Sequence, residues 1–303
     1  MPRIALVAFP YYRTFAAVAR YSEAAVLQDA FAARGAVLDV VDGACGGAAA
    51  AGADLCGYDA VLPLGCWGYH EDPDGFLAFI DRLVASGARL LNPPEVLRWN
   101  LDKSYLVALR EAGVDVAELA HFPRGSRPDL AAEVARLGSS SPSWRYVLKP
   151  TISANSQRTR VAAGPPDAEV LALADEILAR SGLLLQPFFD EIPQQGEWSL
   201  LFFGGELSHA VRKVPRPGDF RSQPDHGATV HRAEPPPELV AQARAAVRAA
   251  PGPLVYARVD GFVRDGRLRL VELELIEPCL FLSDADADAP LRFCDAVLAA
   301  LRT

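Results

Sequence analysis

No two of the five cysteines (Cys45, Cys56, Cys66, Cys279, Cys294) are spaced as a CxxC pair. An odd number at irregular intervals argues for reduced thiols in a cytoplasmic protein. Positive charge is in deficit: 30 lysines and arginines against 38 acids leave a net charge of −8. That argues against nucleic acid or an anionic membrane surface as a partner. No apolar run approaches the ~20 residues of a membrane span. The opening run, Arg3 to Phe9, is too short for a signal peptide and reads as a first strand. Neither GxxxxGK(S/T) nor GxGxxG occurs, so a Walker loop and a dinucleotide fold lack support. The five histidines are scattered, and no Ser-His-Asp or Cys-His arrangement stands out. Cys66 has no base placed beside it by the sequence, so it is not assigned as a nucleophile.

What is present is a chain of 303 residues, half of them hydrophobic, enough for two or three compact units. Strands are expected at 3–9, 36–41 and 59–64. Helices are expected at 21–34, ending at Gly35, and at 74–86, ending at Gly87. This β-α-β alternation implies a parallel sheet covered by helices, an α/β beginning. Asn92-Pro93-Pro94 marks a boundary. Beyond it the pattern gives helices at 102–112, 168–181, 237–249 and 289–302. Strands are expected at 145–149, 183–187, 197–203 and 206–214. A Gly/Ser/Pro-rich stretch, Gly138 to Ser143, separates two of these elements. Residues 215–237 are too long and too rich in Pro, Gly and polar residues for an ordinary connection, and read as a functional flap.

The most informative stretch lies near the end. Asp265-Gly266 is a strong hairpin signal between two β-rich runs. These runs carry Asp260, Glu272 and Glu274 where a half-buried strand should be apolar. Alternate residues of a strand share a face, so Glu272 and Glu274 point one way and Asp260 on the neighbouring strand can join them. Three carboxylates on one face repel unless a cation sits between them. Oxygen ligands without His or Cys suit Mg²⁺ or Mn²⁺. Glu277 competes with Glu274 for the third place, and the shared face with Glu272 favours Glu274.

Lys149 closes an apolar strand just before Pro150 and the small-residue run Thr151 to Ser156. Such a loop can wrap polyphosphate oxygens. Lys103 sits in the first turn of a predicted helix, where alone it would be an ordinary surface lysine. Gln186-Pro187-Phe188-Phe189 offers backbone amides and an aromatic wall, though two phenylalanines taken alone more often belong to a core. Arg212, Lys213 and Arg221 make the flap region basic, and His226 and His231 lie there too. Tyr11, Tyr12 and Arg13 follow the first strand, and Gly65 to His70, including Trp67, follow another. Loops at the carboxyl ends of parallel strands are where α/β sheets bind ligands.

Taken in order, these elements resemble the ATP-grasp superfamily over roughly residues 92–303. They are Asn100-Leu101-Asp102-Lys103, Val147-Leu148-Lys149-Pro150 with its loop, Gln186 to Phe189, Gly196-Glu197-Trp198-Ser199, the flap, Arg258-x-Asp260 and the paired-acid strand. Within it, Leu90 to Val96 with Trp99 to Lys103, and Val271 to Pro278, are similar to ligases of the D-cycloserine synthetase (O-ureido-D-serine cyclo-ligase) type. Gly218 to Ser222 resembles the glutamate ligases that modify ribosomal proteins. The resemblance implies an N-terminal pre-ATP-grasp α/β domain over 1–97. A two-lobed α+β ATP-grasp domain would follow, with lobes over 98–185 and 186–303, the second carrying the metal-binding hairpin. It implies that Lys103, Lys149 and the loop from Ser153 to Ser156 hold ATP phosphates, that Gln186 and Phe188 bind adenine, and that Glu197 binds the ribose. Asp260, Glu272 and Glu274 would hold Mg²⁺ or Mn²⁺, and Arg258 would steady an acyl phosphate. Tyr11, Trp67, Arg212, Lys213 and Arg221 are candidate substrate contacts. Two departures stand out: many members have Asn where this chain has Glu274, and Pro278 lies one residue later than in the D-alanine ligases.

The activity this implies is ADP-forming carboxylate–amine ligation. The substrate would be a small amino-acid-like acid, closing its own ring as in the antibiotic cycloserine or joining a separate amine. A nucleotide-binding regulator without catalysis is the other class, and the intact acids and lysines argue against it. The sequence leaves the substrate and the oligomeric state open, a homo-oligomer included.

Overall fold

The structure, a computed structural model, describes residues 1–16, 23–45, 55–138 and 144–302. The stretch expected to be loop after Gly138, and the first two residues of the helix expected at 21–34, lie outside these. Strand β1 (Arg3–Ala8) is apolar at every position after its first, as a strand covered on both faces must be. Its alternate residues divide between two cores, Ile4, Leu6 and Ala8 in one and Ala5 and Val7 in the other. Tyr11 to Arg13, expected as loop, form part of a short helix, α1 (Pro10–Ala16); proline suits its first position. Helix α2 (Glu23–Ala33) covers the first face of the sheet. Strands β2 (Val37–Asp42) and β3 (Ala60–Gly65) flank β1 in parallel. Helices α3 (Pro73–Ala85) and α4 (Pro94–Asn100) cover the second face through Phe76, Phe79, Ile80 and Leu97.

The helix expected over 102–112 is shorter than its pattern. Helix α5 begins at Tyr105 (Tyr105–Glu111), and Lys103 occupies the turn between α4 and α5. The side chain of Asp102 makes that turn by accepting the Ser104 amide at 2.8 Å.

A four-stranded antiparallel sheet follows, built from β4 (Ala120–Phe122), β5 (Arg145–Pro150), β6 (Arg160–Ala163) and β7 (Leu183–Pro187) in the order β4-β7-β5-β6. Tyr146, Leu148, Leu183 and Leu185 pack under helices α6 (Leu130–Gly138) and α7 (Ala168–Arg180). Period two therefore turns Val147 and Lys149 to the uncovered face. The expected boundary at 185/186 falls inside β7.

After α8 (Glu191–Gln195) comes a five-stranded antiparallel sheet, ordered β10-β9-β8-β11-β12. Its strands are β8 (Glu197–Phe203), β9 (Glu206–Val214), β10 (Thr229–Arg232), β11 (Tyr256–Arg264) and β12 (Arg267–Glu274). The region expected as one long flap is thus shorter, with β10 paired to β9. Val230 is the reason: it buries against the core that α2 also covers. Helix α9 (Pro237–Arg248) packs on the outer face against Leu200, Phe202, Ala257 and Val259. The C-terminal helix α10 (Ala289–Ala300) returns to the first unit, where Phe293 meets Phe31 and Phe203 edge-on at 6.5 and 5.2 Å. The result is a mixed α/β architecture, a parallel sheet followed by two antiparallel ones. All five cysteines are free thiols. Among the described residues no helix is long and apolar enough to cross a membrane.

Candidate active site

The inner face of the five-stranded sheet changes character along its strands. At one end Leu201, Phe203, Val211 and Tyr256 pack on the first unit. Two and four residues further along the strands the same face carries Ser199 and Glu197 on β8, Lys213 on β9, and Arg258 and Asp260 on β11. Parity alone would put Leu268 and Leu270 on the face of Glu272 and Glu274. The structure breaks the parity with a bulge. Asp260 pairs with Glu272 but Gly261 pairs with Leu270, leaving Val271 unpaired. Leu268, Leu270, Leu273 and Leu275 consequently all reach the core under α9, while Val271, Glu272 and Glu274 line a cavity on the other side. Asp265 and Gly266, at φ 54° and 71°, make the expected hairpin turn.

That cavity, about 260 Å³, lies between the inner face of this sheet and the uncovered face of the four-stranded sheet, with loops of the first unit closing one side. Asp260, Glu272 and Glu274 each offer it an oxygen, all within 4.8 Å of one another. Glu277 also lines it but is not part of that cluster. Four cations answer the acids. Lys103 Nζ is 3.2 Å from Glu272 and donates to the carbonyl of Ser153. Lys213 Nζ is 3.0 Å from Glu197 and 3.2 Å from Asp260. The Arg258 guanidinium lies 2.9 Å from Asp260 and also contacts Glu274. Lys149, half-buried, lines the cavity wall, and desolvation there lowers its pKa against the pull of Glu272.

The acids respond unequally. Burial works against the charge of Asp260, but Arg258 and Lys213 prevail and hold its pKa low. Glu272 is also lowered: burial opposes, while Lys103 and Lys149 favour the carboxylate. Burial pushes Glu274 up to about 7 despite Arg258, and Glu277 is raised well above the usual range by burial and then by Glu274. For Lys213, burial is outweighed by Asp260 and Glu197, and its pKa rises. A site made only of carboxylate oxygens fits a hard divalent cation such as Mg²⁺ or Mn²⁺.

The small-residue loop enters the same cavity with Ser153, Ala154, Asn155 and Ser156. It turns through left-handed backbone at Asn155 (φ 48°) and Ser156 (φ 56°), without glycine. Asn155 Nδ2 reaches Tyr11 Oη at 3.4 Å, and Ser156 Oγ lies 3.5 Å from Gln223 Oε1 on the flap. Gln186 is buried and its Nε2 has no partner among the described residues. Phe188 forms a wall, with the Arg145 guanidinium 3.7 Å from its ring centre and the flap residue Phe220 edge-on at 6.3 Å. Trp67 lines the first unit's side and donates its indole N–H to the Glu277 carbonyl at 3.1 Å.

The structure separates two of the basic residues expected together. Lys213 faces the cavity, whereas Arg212, one residue before it, points to the opposite face, exposed and 6.0 Å over the ring of Trp198. Arg221 does line the cavity, but its guanidinium is held in a fork by Asp219 at 3.0 and 2.8 Å. Sequence reasoning passes over Asn92, Asn100 and Tyr105, whose side chains bond to backbone more than 150 residues away. Nothing local signals such contacts.

A family model described as the N-terminal domain of D-cycloserine synthetase DcsG matches residues 4–92. The cycloserine biosynthesis protein DcsG of Streptomyces lavendulae is 34% identical over 270 residues, 82% of this chain and 85% of that protein. The crystal structure of D-cycloserine synthetase DcsG superposes with a TM-score of 0.81 at 28% identity, covering 99% of each chain. The D-alanine–D-alanine ligase of Bacillus anthracis, solved with ATP, superposes at 0.70 and 14% identity, over 100% of this chain and 98% of that one. The last likeness is one of fold.

Proposed function

As the chain belongs to the ATP-grasp ligases of the D-cycloserine synthetase family, we propose that it uses ATP to turn a carboxylate into an acyl phosphate. An amine then displaces phosphate, giving an amide, ADP and phosphate. The observation that carries this reading is the convergence of three carboxylates and four cations in one cavity beside a small-residue loop. A carboxylate is a poor electrophile at neutral pH, and phosphorylation gives it a good leaving group. Phosphoryl transfer needs position and charge neutralisation more than a covalent nucleophile, which agrees with the absence of a catalytic triad among the sequence patterns.

In this reading Lys103 and Lys149, with the loop from Ser153 to Ser156, grip the phosphates. Phe188 forms one wall for adenine, and Gln186 offers the base its unpaired amide N–H. Glu197 takes the ribose hydroxyls. Lys213, bound to both Glu197 and Asp260, meets the phosphoryl end of the nucleotide. Asp260, Glu272 and Glu274 hold Mg²⁺ or Mn²⁺, which when bound supplies charge neutralisation at the transferred phosphoryl group. Arg258, beside Asp260 and Glu274, steadies the acyl phosphate and the tetrahedral intermediate that follows. Tyr11 and Trp67 form the substrate end of the cavity. Arg212 is left without a role there, and Arg221 would reach substrate only by releasing Asp219.

The substrate is proposed to be a small amino-acid derivative, of the O-ureidoserine kind, that closes on itself. The test is product analysis with a panel of amino acids and ureido derivatives. ADP release should depend on the acid, and hydroxylamine should intercept a hydroxamate. For cyclisation, adding a second amine should leave ADP release unchanged; saturation in both acid and amine would establish intermolecular ligation instead. AMP and pyrophosphate as products would overturn the mechanism.

A further inference from the structure

Strand β12 is an edge strand, and its outer edge changes partners at the bulge. Before the bulge, Leu270 is paired by backbone: its N–H donates to the Asp115 carbonyl at 2.9 Å, and its carbonyl accepts from Ala117 at 2.8 Å. After the bulge no strand among the described residues covers the edge. Two side chains replace it. Tyr105 Oη accepts the Leu273 N–H at 3.0 Å. Asn100 Nδ2 donates to the Leu273 carbonyl at 2.7 Å, and Asn100 Oδ1 accepts the Leu275 N–H at 2.8 Å. Leu273 is the residue between Glu272 and Glu274, so both acids hang from backbone that these side chains fix.

Asn100 and Tyr105 also bracket Lys103, three residues after the one and two before the other. Lys103 Nζ lies 3.2 Å from Glu272, and its own N–H donates to the Thr151 carbonyl at 2.9 Å. Asp102 accepts from the Thr151 hydroxyl at 2.8 Å. One six-residue segment thus grips the acid strand with its ends and the phosphate loop with its middle.

We propose that Asn100 and Tyr105 are positioning residues for the metal carboxylates, setting Glu272 and Glu274 at a fixed distance from Lys103 and the phosphate loop. The proposal rests on reading Asp260, Glu272 and Glu274 as the metal ligands. An edge strand left with unpaired backbone groups would otherwise slide or take up water, and its acids would lose their common centre. Side chains that orient metal ligands commonly control affinity by ~10- to 100-fold.

The experiment is Mn²⁺ titration followed by electron paramagnetic resonance, on wild type, Tyr105→Phe, Asn100→Ser and Glu272→Gln, each with its thermal midpoint measured. Tyr105→Phe keeps the ring contact with Trp99, 5.1 Å between centres, and is expected to fold. It should weaken Mn²⁺ by about tenfold and broaden the bound spectrum, while metal-free ADP binds as in wild type. Asn100→Ser, which loses both of its bonds, should weaken Mn²⁺ further and tests the same strand edge through different contacts if Tyr105→Phe does not fold. Wild-type Mn²⁺ affinity and spectrum in a folded Tyr105→Phe or Asn100→Ser protein would overturn the proposal, whatever the change in melting. Wild-type Mn²⁺ affinity in Glu272→Gln would instead overturn the metal site, and this inference with it.

Discussion

Gly261→Ala probes the bulge that brings the acids to the cavity. A Cβ built on Gly261 would lie 2.4 Å from the Arg269 carbonyl oxygen and 3.0 Å from Leu268 Cδ1. Ordinary carbon–oxygen contact begins near ~3.3 Å, so β12 must retreat by about 1 Å. The obstacle is backbone and cannot swing aside as a side chain would. Overpacking of this kind costs about 1–3 kcal/mol, a fall in melting temperature of several degrees for a chain of this size. The larger effect falls on chemistry. Arg269 lies three residues before Glu272, and a misplacement of ~1 Å at reacting groups can lower rates ~100-fold. ADP release measured against Mg²⁺ concentration should show kcat/KM reduced by about two orders of magnitude, with the metal requirement shifted to higher concentration. Gly57→Ala is the control, since nothing among the described residues lies within 4 Å of its added Cβ. A Gly261→Ala protein with wild-type melting and wild-type kcat/KM would refute the argument that the bulge sets the acids.

Lys149→Met removes a half-buried cation whose pKa desolvation already lowers. It should cut turnover ~100- to 1,000-fold without lowering the melting temperature, and wild-type turnover from the folded variant would refute the phosphate assignment. Excess chelator should abolish ADP formation, and Glu272→Gln should depress it severely at saturating Mg²⁺; full activity in chelator would rule out the metal role. Glu23 accepts the amides of Leu280 at 2.9 Å and Leu282 at 3.2 Å, and burial pushes its carboxyl up to about 7 from the usual 4.5. The folded state therefore holds that proton more tightly than the unfolded one, so the group costs nothing below about pH 4.5 and destabilises increasingly up to about pH 7, by at most about 3 kcal/mol. Melting curves from pH 5 to 8 should show this loss in wild type and a flatter profile in Glu23→Gln, and parallel profiles would refute it.

The hairpin at Asp265-Gly266, the apolar β1, the helical cover of the first sheet and Lys149 ahead of its loop were legible in the sequence because each is a local signal. Turn residues, period two and small-residue runs act within a few positions. The acids Asp260, Glu272 and Glu274 were legible for the same reason, since all lie on the site side of the bulge. The bulge itself was not, because an unpaired Val271 exists only relative to the partner strand β11. Nor was the parting of Arg212 from Lys213, which depends on which face of β9 meets α9. Taken alone Lys103 is an ordinary surface lysine, the family resemblance assigns it to the phosphates, and only folding brings it against Glu272. Asn92, Asn100 and Tyr105 carry no signal of their bonds, because the backbone they satisfy lies 163 to 183 residues away. Side-chain type and local spacing thus determined which chemistry this chain can perform, while register and long-range contacts decided which groups face one another, since pairing between distant segments is settled only when the cores that fix it close together.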